Sequence, residues 1–146
     1  QNLMKFSIIV ALEPGRDCKV LNSLKDIDYP KNQYEIFVVE SKNASKNRNQ
    51  GAKKAKGEIL AFIDDDCIIN KDLLKNADNL FKNYPELSAA GGPQLTPEDD
   101  SFFGKSVGLV MQTFLSSSLM AKRYKKSELN LDATENEITT ANFFIK

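Results

Sequence analysis

The apolar residues of this chain fall into short, nearly continuous runs separated by longer amphipathic or polar stretches. Phe6-Ser-Ile-Ile-Val-Ala-Leu12 is β-branched and apolar on both sides, the pattern of a strand covered on both faces. It stops at the turn signal Glu13-Pro14-Gly15. Asp17 is placed to cap a helix whose apolar positions Val20, Leu21 and Leu24 follow helical spacing, and Tyr29-Pro30 ends it. Tyr34 to Glu40 reads as a second buried strand. After a polar link at 41–45, Lys46 to Lys56 reads as a basic helix stopped by Gly57. Glu58 to Ile63 is a third strand, and it runs directly into Asp64-Asp65-Asp66. Asn70 caps a helix over 71–84, with Leu73, Leu74, Ala77, Leu80 and Phe81 on one face.

Further along, Leu87 to Ala90 reads as a fourth strand closed by Gly91-Gly92-Pro93. Glu98-Asp99-Asp100 opens a long helix over 102–124, acidic at the positive end of its dipole. Its apolar residues include Phe102, Phe103, Val107, Val110, Met111, Phe114, Leu115 and Leu119. Ile138 to Ile145 completes the pattern as another strand. The alternation predicts an α/β fold: a mostly parallel, Rossmann-like sheet with helices on both faces. Ligands of such sheets bind beyond the carboxyl ends of the strands, so the chemistry is sought there.

Composition narrows that chemistry. Lys and Arg balance Asp and Glu at 20 each, which argues against a nucleic-acid partner held by phosphate neutralisation. The absence of His removes imidazole-based zinc sites and triads. Two Cys are too few for a disulfide scaffold and fit reduced thiols in a cytoplasmic protein. With 146 residues and no internal repeat, a single domain over 1–146 is expected. The 102–121 stretch is interrupted by Lys105, Gln112, Thr113 and Ser116 to Ser118, so it does not span a bilayer by itself. It is expected to pack against other elements. Left uncovered, it would expose an apolar face for self-association or for membrane contact of a longer protein.

Asp64-Asp65-Asp66 is the strongest chemical signal. Three adjacent carboxylates repel unless something positive joins them. Mg²⁺ or Mn²⁺ suits such oxygen ligands, taking one or two carboxylates and completing its shell with waters and phosphates. A solvated turn or capping cluster is the competing reading.

The surrounding residues favour the first. Arg48-Asn49-Gln50-Gly51, then Ala55-Lys56-Gly57-Glu58, then Phe62-Ile63-Asp64-Asp65-Asp66 resemble the ordered core of family 2 glycosyltransferases of the GT-A fold. The strand at Phe6 to Val10, the Asp28-Tyr29-Pro30 step, the strand Ile36 to Glu40 and Gly91-Gly92-Pro93 are similar to further parts of that family, so the resemblance covers nearly all of 4–146. It implies a nucleotide-diphospho-sugar donor and a metal-assisted, inverting transfer to an unknown glycan, lipid or protein acceptor. It implies that Asp66, with Asp64, holds the metal, and that Asp64 and Asp65 lie near ribose and sugar. It also implies that Ala11, Leu12, Glu13 and Glu40 border the base. Lys46 is a candidate for holding the nucleotide, against its reading as a solvated lysine.

The chain departs from the family pattern in three places. Glu40 stands where the family has Asp, only six residues separate it from Asn47, and Ala11 to Gly15 replace the family's residues after the first strand. The family's general base belongs to a motif downstream of the part resembled by 140–146. No catalytic residue is therefore expected within this chain, which reads as an incomplete donor-binding portion, cytoplasmic or at the cytoplasmic face of a membrane. Asp132, Glu135 and Glu137 read instead as a solvated polar loop. The alternative function is a non-catalytic nucleotide-sugar-binding or interaction module. A phosphoryl-transfer or receiver-type domain is disfavoured, because the first strand ends without an acidic pair.

Overall fold

The computed structural model describes residues 4–98, 100–113, 120–134 and 137–146. Asp99, Phe114, Leu115, Ser116 to Ser118, Leu119 and Glu135, named above, lie outside them. Two compact units are present: Gln1–Ala90 with Phe143–Lys146, and Gly91–Asn142.

The first unit carries the sheet. Its strands are β1 (Phe6–Leu12), β2 (Tyr34–Glu40), β3 (Ile59–Asp64), β4 (Ala89–Gly91) and β5 (Asn142–Ile145), in the order β2-β1-β3-β5-β4. β1 lies parallel to β2 and to β3, with Leu12 opposite Glu40 and Ala11 opposite Asp64. Lys146 N–H donates to Ser88 O and Gly92 N–H to Asn142 O, so β4 and β5 pair in opposite directions. The sheet is therefore mostly, not wholly, parallel.

Strand periodicity assigns the two faces of β1. Phe6, Ile8 and Val10, with Ile59, Ala61 and Ile63 of β3, form the buried core with α1 (Val20–Leu24) and α3 (Leu73–Asn83). On the opposite face Ile9 meets α2 (Ala44–Lys54), where Gly51 lets the helix come close: a Cβ there would stand 2.5 Å from Ile9 Cγ2. Helices thus cover both faces, as the alternation predicts.

Several helix ends differ from expectation for identifiable reasons. α1 opens at Lys19 without a side-chain cap, and Asp17 does not cap it. The Val20 N–H that would need a cap instead donates to Asp65 O at 3.0 Å. α2 starts two residues earlier than expected, because Asn43 accepts from Lys46 N–H and caps it. Gly57 is not its stop, since α2 ends at Lys54. What Gly57 supplies is a close approach, for a Cβ would meet Phe6 C and Ser7 N at 2.5 Å. Asn70 forms a turn ahead of α3, accepting from Asp72 N–H, and does not cap the helix.

The second unit contains α4 (Phe102–Met111), capped by Ser101, whose Oγ accepts from Gly104 N–H at 3.0 Å. The expected helix over 102–124 is shorter in the described residues, with a separate 3₁₀ turn at Met120–Tyr124. Phe102, Phe103, Leu109 and Val110 stand exposed on α4. The polar loop is less solvated than expected at Glu137. Its carboxylate accepts from Lys122 Nζ at 2.6 Å, from Asn130 and from Thr134. The Lys122 contact first, then the Thr134 N–H, hold its pKa below the ordinary value. β5 begins only at Asn142, while Ile138 packs on Gly91. Among the described residues no helix is long and apolar enough to cross a membrane.

Candidate functional site

The carboxyl ends of β1 and β3 face a cavity of about 260 Å³ within the first unit. Ala11, Leu12, Glu13 and Arg16 line it from the β1 side. Ser41 and Lys42 line it from the β2–α2 link, Ala44, Asn47 and Arg48 from α2, and Asp64, Asp65 and Asp66 from the end of β3 and the turn after it. Parallel pairing brings these groups together. Because Ala11 lies beside Asp64, the segment leaving β1 and the acidic segment leaving β3 emerge side by side.

Asn47 ties the first wall together. Fully buried, it donates from Nδ2 to Leu12 O at 3.1 Å and to Ser41 O at 3.0 Å, and it accepts from the Ser41 hydroxyl. Ser41 N–H in turn donates to Leu12 O. One amide therefore uses donors and acceptor alike to fasten the ends of two strands.

The acidic segment is held by two arginines of different character. Arg48, one turn into α2, donates from Nη2 to Asp64 Oδ1 at 2.9 Å. Arg16, on the turn after β1, spans two neighbours, with Nε 3.3 Å from Asp65 Oδ2 and Nη2 3.5 Å from Asp66 Oδ2. Asp65 is 6% exposed and its Oδ2 has no hydrogen bond, so the Arg16 ion pair carries its compensation. Asp66 is exposed. Among the described residues no group of three or more Asp, Glu, Cys or His is placed to hold a metal. The donor set is nevertheless all oxygen. Mg²⁺ and Mn²⁺ sites that rely on one or two carboxylates plus substrate phosphates need no protein cage. In that sense the segment fits such an ion.

Of the residues expected at the site, Ala11, Leu12, Glu13, Asp64, Asp65 and Asp66 come together around the cavity. Glu40 is exposed at the end of β2, beside Leu12 but outside the lining, and Lys46 is exposed on α2 and also outside it. The lining cations are Arg16, Lys42 and Arg48; none was expected as a site residue, although Arg48 opens the motif that carries the family resemblance. A signal existed for Arg16, a cation on the turn after β1 when β3 ends in three acids. Cys67 follows the acidic segment as a thiol. Burial, then the Asp64 and Asp66 charges, push its pKa up to about 11, which suits a packed group and not a nucleophile.

Structural comparison identifies this fold, with its acidic strand end beside the first strand's exit, as that of GT-A glycosyltransferases. Residues 1–349 of Staphylococcus aureus TarS, crystallised with UDP-GlcNAc, match with a TM-score of 0.55 at 26% identity, over 67% of this chain and 37% of that one. The same TarS segment with UDP gives 0.56. The profile of glycosyl transferase family 2 matches residues 21–143, and the chain belongs to that family. Among curated relatives, poly(ribitol-phosphate) beta-N-acetylglucosaminyltransferase TarS of Staphylococcus aureus is 31% identical, over 51% of this chain and 18% of its own length. A glucosyl-dolichyl phosphate glucuronosyltransferase of Haloferax volcanii is 28% identical, over 58% of this chain and 32% of its own length. The chain thus spans less than a third of the matched relatives.

Proposed function

We propose that this chain is the donor-binding part of a glycosyltransferase, holding a nucleotide-diphospho-sugar at the carboxyl ends of β1 and β3. The observation that carries the reading is the convergence of Ala11 to Glu13 and Asp64 to Asp66 on one cavity, on a fold shared with a UDP-GlcNAc complex. The base and ribose lie along Ala11 to Glu13, with Glu40 at the margin. Lys46 faces outward and serves the nucleotide only at long range.

Asp66, exposed and held by a single long ion pair, is the residue to hold Mg²⁺ or Mn²⁺, with Asp64 beside it. A bound divalent ion supplies Lewis-acid stabilisation of charge on the leaving diphosphate. The chain's own residues bind and orient. Asn47 keeps the exits of β1 and β2 in place, and Arg48 fixes the direction of Asp64. The acceptor, whether glycan, lipid or protein, and the group that takes its proton are assigned to no residue described here.

The test is calorimetry with nucleoside diphosphates, UDP first, in the presence and absence of Mn²⁺. The expected result is metal-dependent binding that Asp66→Ala abolishes. Equal binding by that variant would overturn the role given to Asp66.

A further inference from the structure

The two arginines at the acidic segment differ in how they are held. Arg48 stands on a helix, is largely covered and makes a 2.9 Å contact. Arg16 is half exposed, its contacts are 3.3 and 3.5 Å, and it stands on a four-residue turn closed by Arg16 N–H donating to Glu13 O. That turn pivots on Gly15, whose φ of 82° lies in the left-handed region, and no atom stands within 4 Å of the place its Cβ would take. The carboxylate it serves is fixed instead. Asp65 is buried, and its carbonyl is tied to the first turn of α1. A buried carboxylate oxygen without a hydrogen bond, as Asp65 Oδ2 is, demands a cation, and here that cation is a half-exposed side chain on an exposed turn.

A guanidinium at this distance and a divalent ion compete for the same carboxylate charge, because like charges so close repel. The same guanidinium is well shaped for a diphosphate, whose oxygens it can take two at a time. Resting on the donor site proposed above, we propose that Arg16 is an exchangeable counter-cation. It neutralises Asp65 and Asp66 while no donor is bound, yields to the divalent ion, and turns onto the donor's diphosphate. Metal and nucleotide then bind as a coupled pair, each weakly alone. Arg48 does not exchange, since its helix and its closer contact keep it on Asp64.

The experiment compares the wild-type protein with Arg16→Gln and Arg16→Lys, using MnCl₂ alone, then UDP at saturating Mn²⁺. Free Mn²⁺ is counted by electron paramagnetic resonance and UDP binding is measured by calorimetry. For Mn²⁺ alone, Arg16→Gln is expected to bind about fivefold more tightly than wild type, the scale of one exposed ion pair. For UDP with Mn²⁺, the same variant is expected to bind at least about tenfold more weakly, the scale of a lost charge-assisted hydrogen bond. Arg16→Lys, which keeps the charge but not the fork, is expected to restore weak Mn²⁺ binding and only part of the UDP affinity. Wild-type UDP binding with both affinities unchanged in Arg16→Gln would overturn the role of Arg16 and leave the donor site standing. Failure of the folded wild-type protein to bind UDP under any metal condition would overturn the donor site itself, and this inference with it.

Discussion

The central strands have two ends of opposite construction. At the amino-terminal end, the fully buried Ser7 hydroxyl accepts from Gly57 N–H at 2.8 Å and donates to Glu35 Oε1 at 2.6 Å, and Glu35 also takes Lys56 N–H. Phe6 meets the Tyr29 ring edge-on at 5.4 Å. At the carboxyl end the buried Asn47 amide fastens the exits of β1 and β2, but the acidic segment leaving β3 is held by ion pairs whose cations are partly or half exposed. The first end is closed by groups that have nowhere else to go. The second is held by charges that solvent already reaches. With the donor site proposed above, stability is expected to reside mainly at one end of β1 and ligand exchange at the other, a division that substitutions at the two ends can test.

The largest expected effect is at the closed end. Gly57→Ala places a Cβ 2.5 Å from the backbone of Phe6 and Ser7, which cannot give way as a flexible side chain would. It is expected to cost about 3 kcal/mol, read as a lower urea midpoint at an unchanged slope. A wild-type midpoint would show that the end is looser than described.

A smaller effect is expected from pH at that same end. Burial first, then the neighbouring Asp78 carboxylate, push the Tyr29 hydroxyl up to about 12 from an ordinary value of 10.0. A raised folded pKa keeps its contribution intact below the unfolded value and loses it as pH climbs toward the folded one. Stability is thus expected to fall between about pH 10 and pH 12, and Tyr29→Phe to flatten that part of the profile. Parallel profiles for the two proteins would remove Tyr29 from the account.

The smallest effect on stability is expected at the open end. Asp64→Asn breaks a partly exposed ion pair and should change unfolding free energy by less than about 1 kcal/mol. The same change is expected to weaken UDP binding with Mn²⁺ by at least about tenfold. A large loss of stability with intact binding would reverse the division between the ends.

Much of this was legible from residue order. Short apolar runs mark β1, β2 and β3, and β1, covered on both faces, has no polar side to show. β2 is less buried than its run predicts, because it is the edge strand and leaves Ile36 and Val38 exposed. Asp64 to Asp66 mark the site, because three like charges at a strand end have no packing reason to exist. What escaped depends on contacts between distant parts of the chain. Gly57 looked like a helix stop, yet its requirement comes from the backbone of Phe6 and Ser7, fifty residues earlier in sequence. Asp17 looked like a cap, but a carbonyl from the acidic segment already serves Val20. Asp28-Tyr29-Pro30 resembled a family signature without a visible reason. In the fold, Asp28 pairs with Lys75, and Tyr29 joins Phe6 to Asp78 of α3. Arg16 was passed over, and Arg48, though part of a family motif, was given no site role, because a lysine-rich chain offers many cations and only the parallel register decides which of them meet Asp64 to Asp66.

The strand order carries a consequence for how the molecule is made. β5 lies between β3 and β4, although β4 ends at Gly91 and β5 begins at Asn142. As the polypeptide leaves the ribosome, β1, β2 and β3 can assemble early, but the outer edge of β3, which ends at Asp64, stays unpaired until synthesis reaches β5 at Asn142. Until then that edge is a template for pairing with other nascent chains. Chaperone dependence and inclusion-body formation should accordingly track the delay before Phe143 and Phe144 arrive.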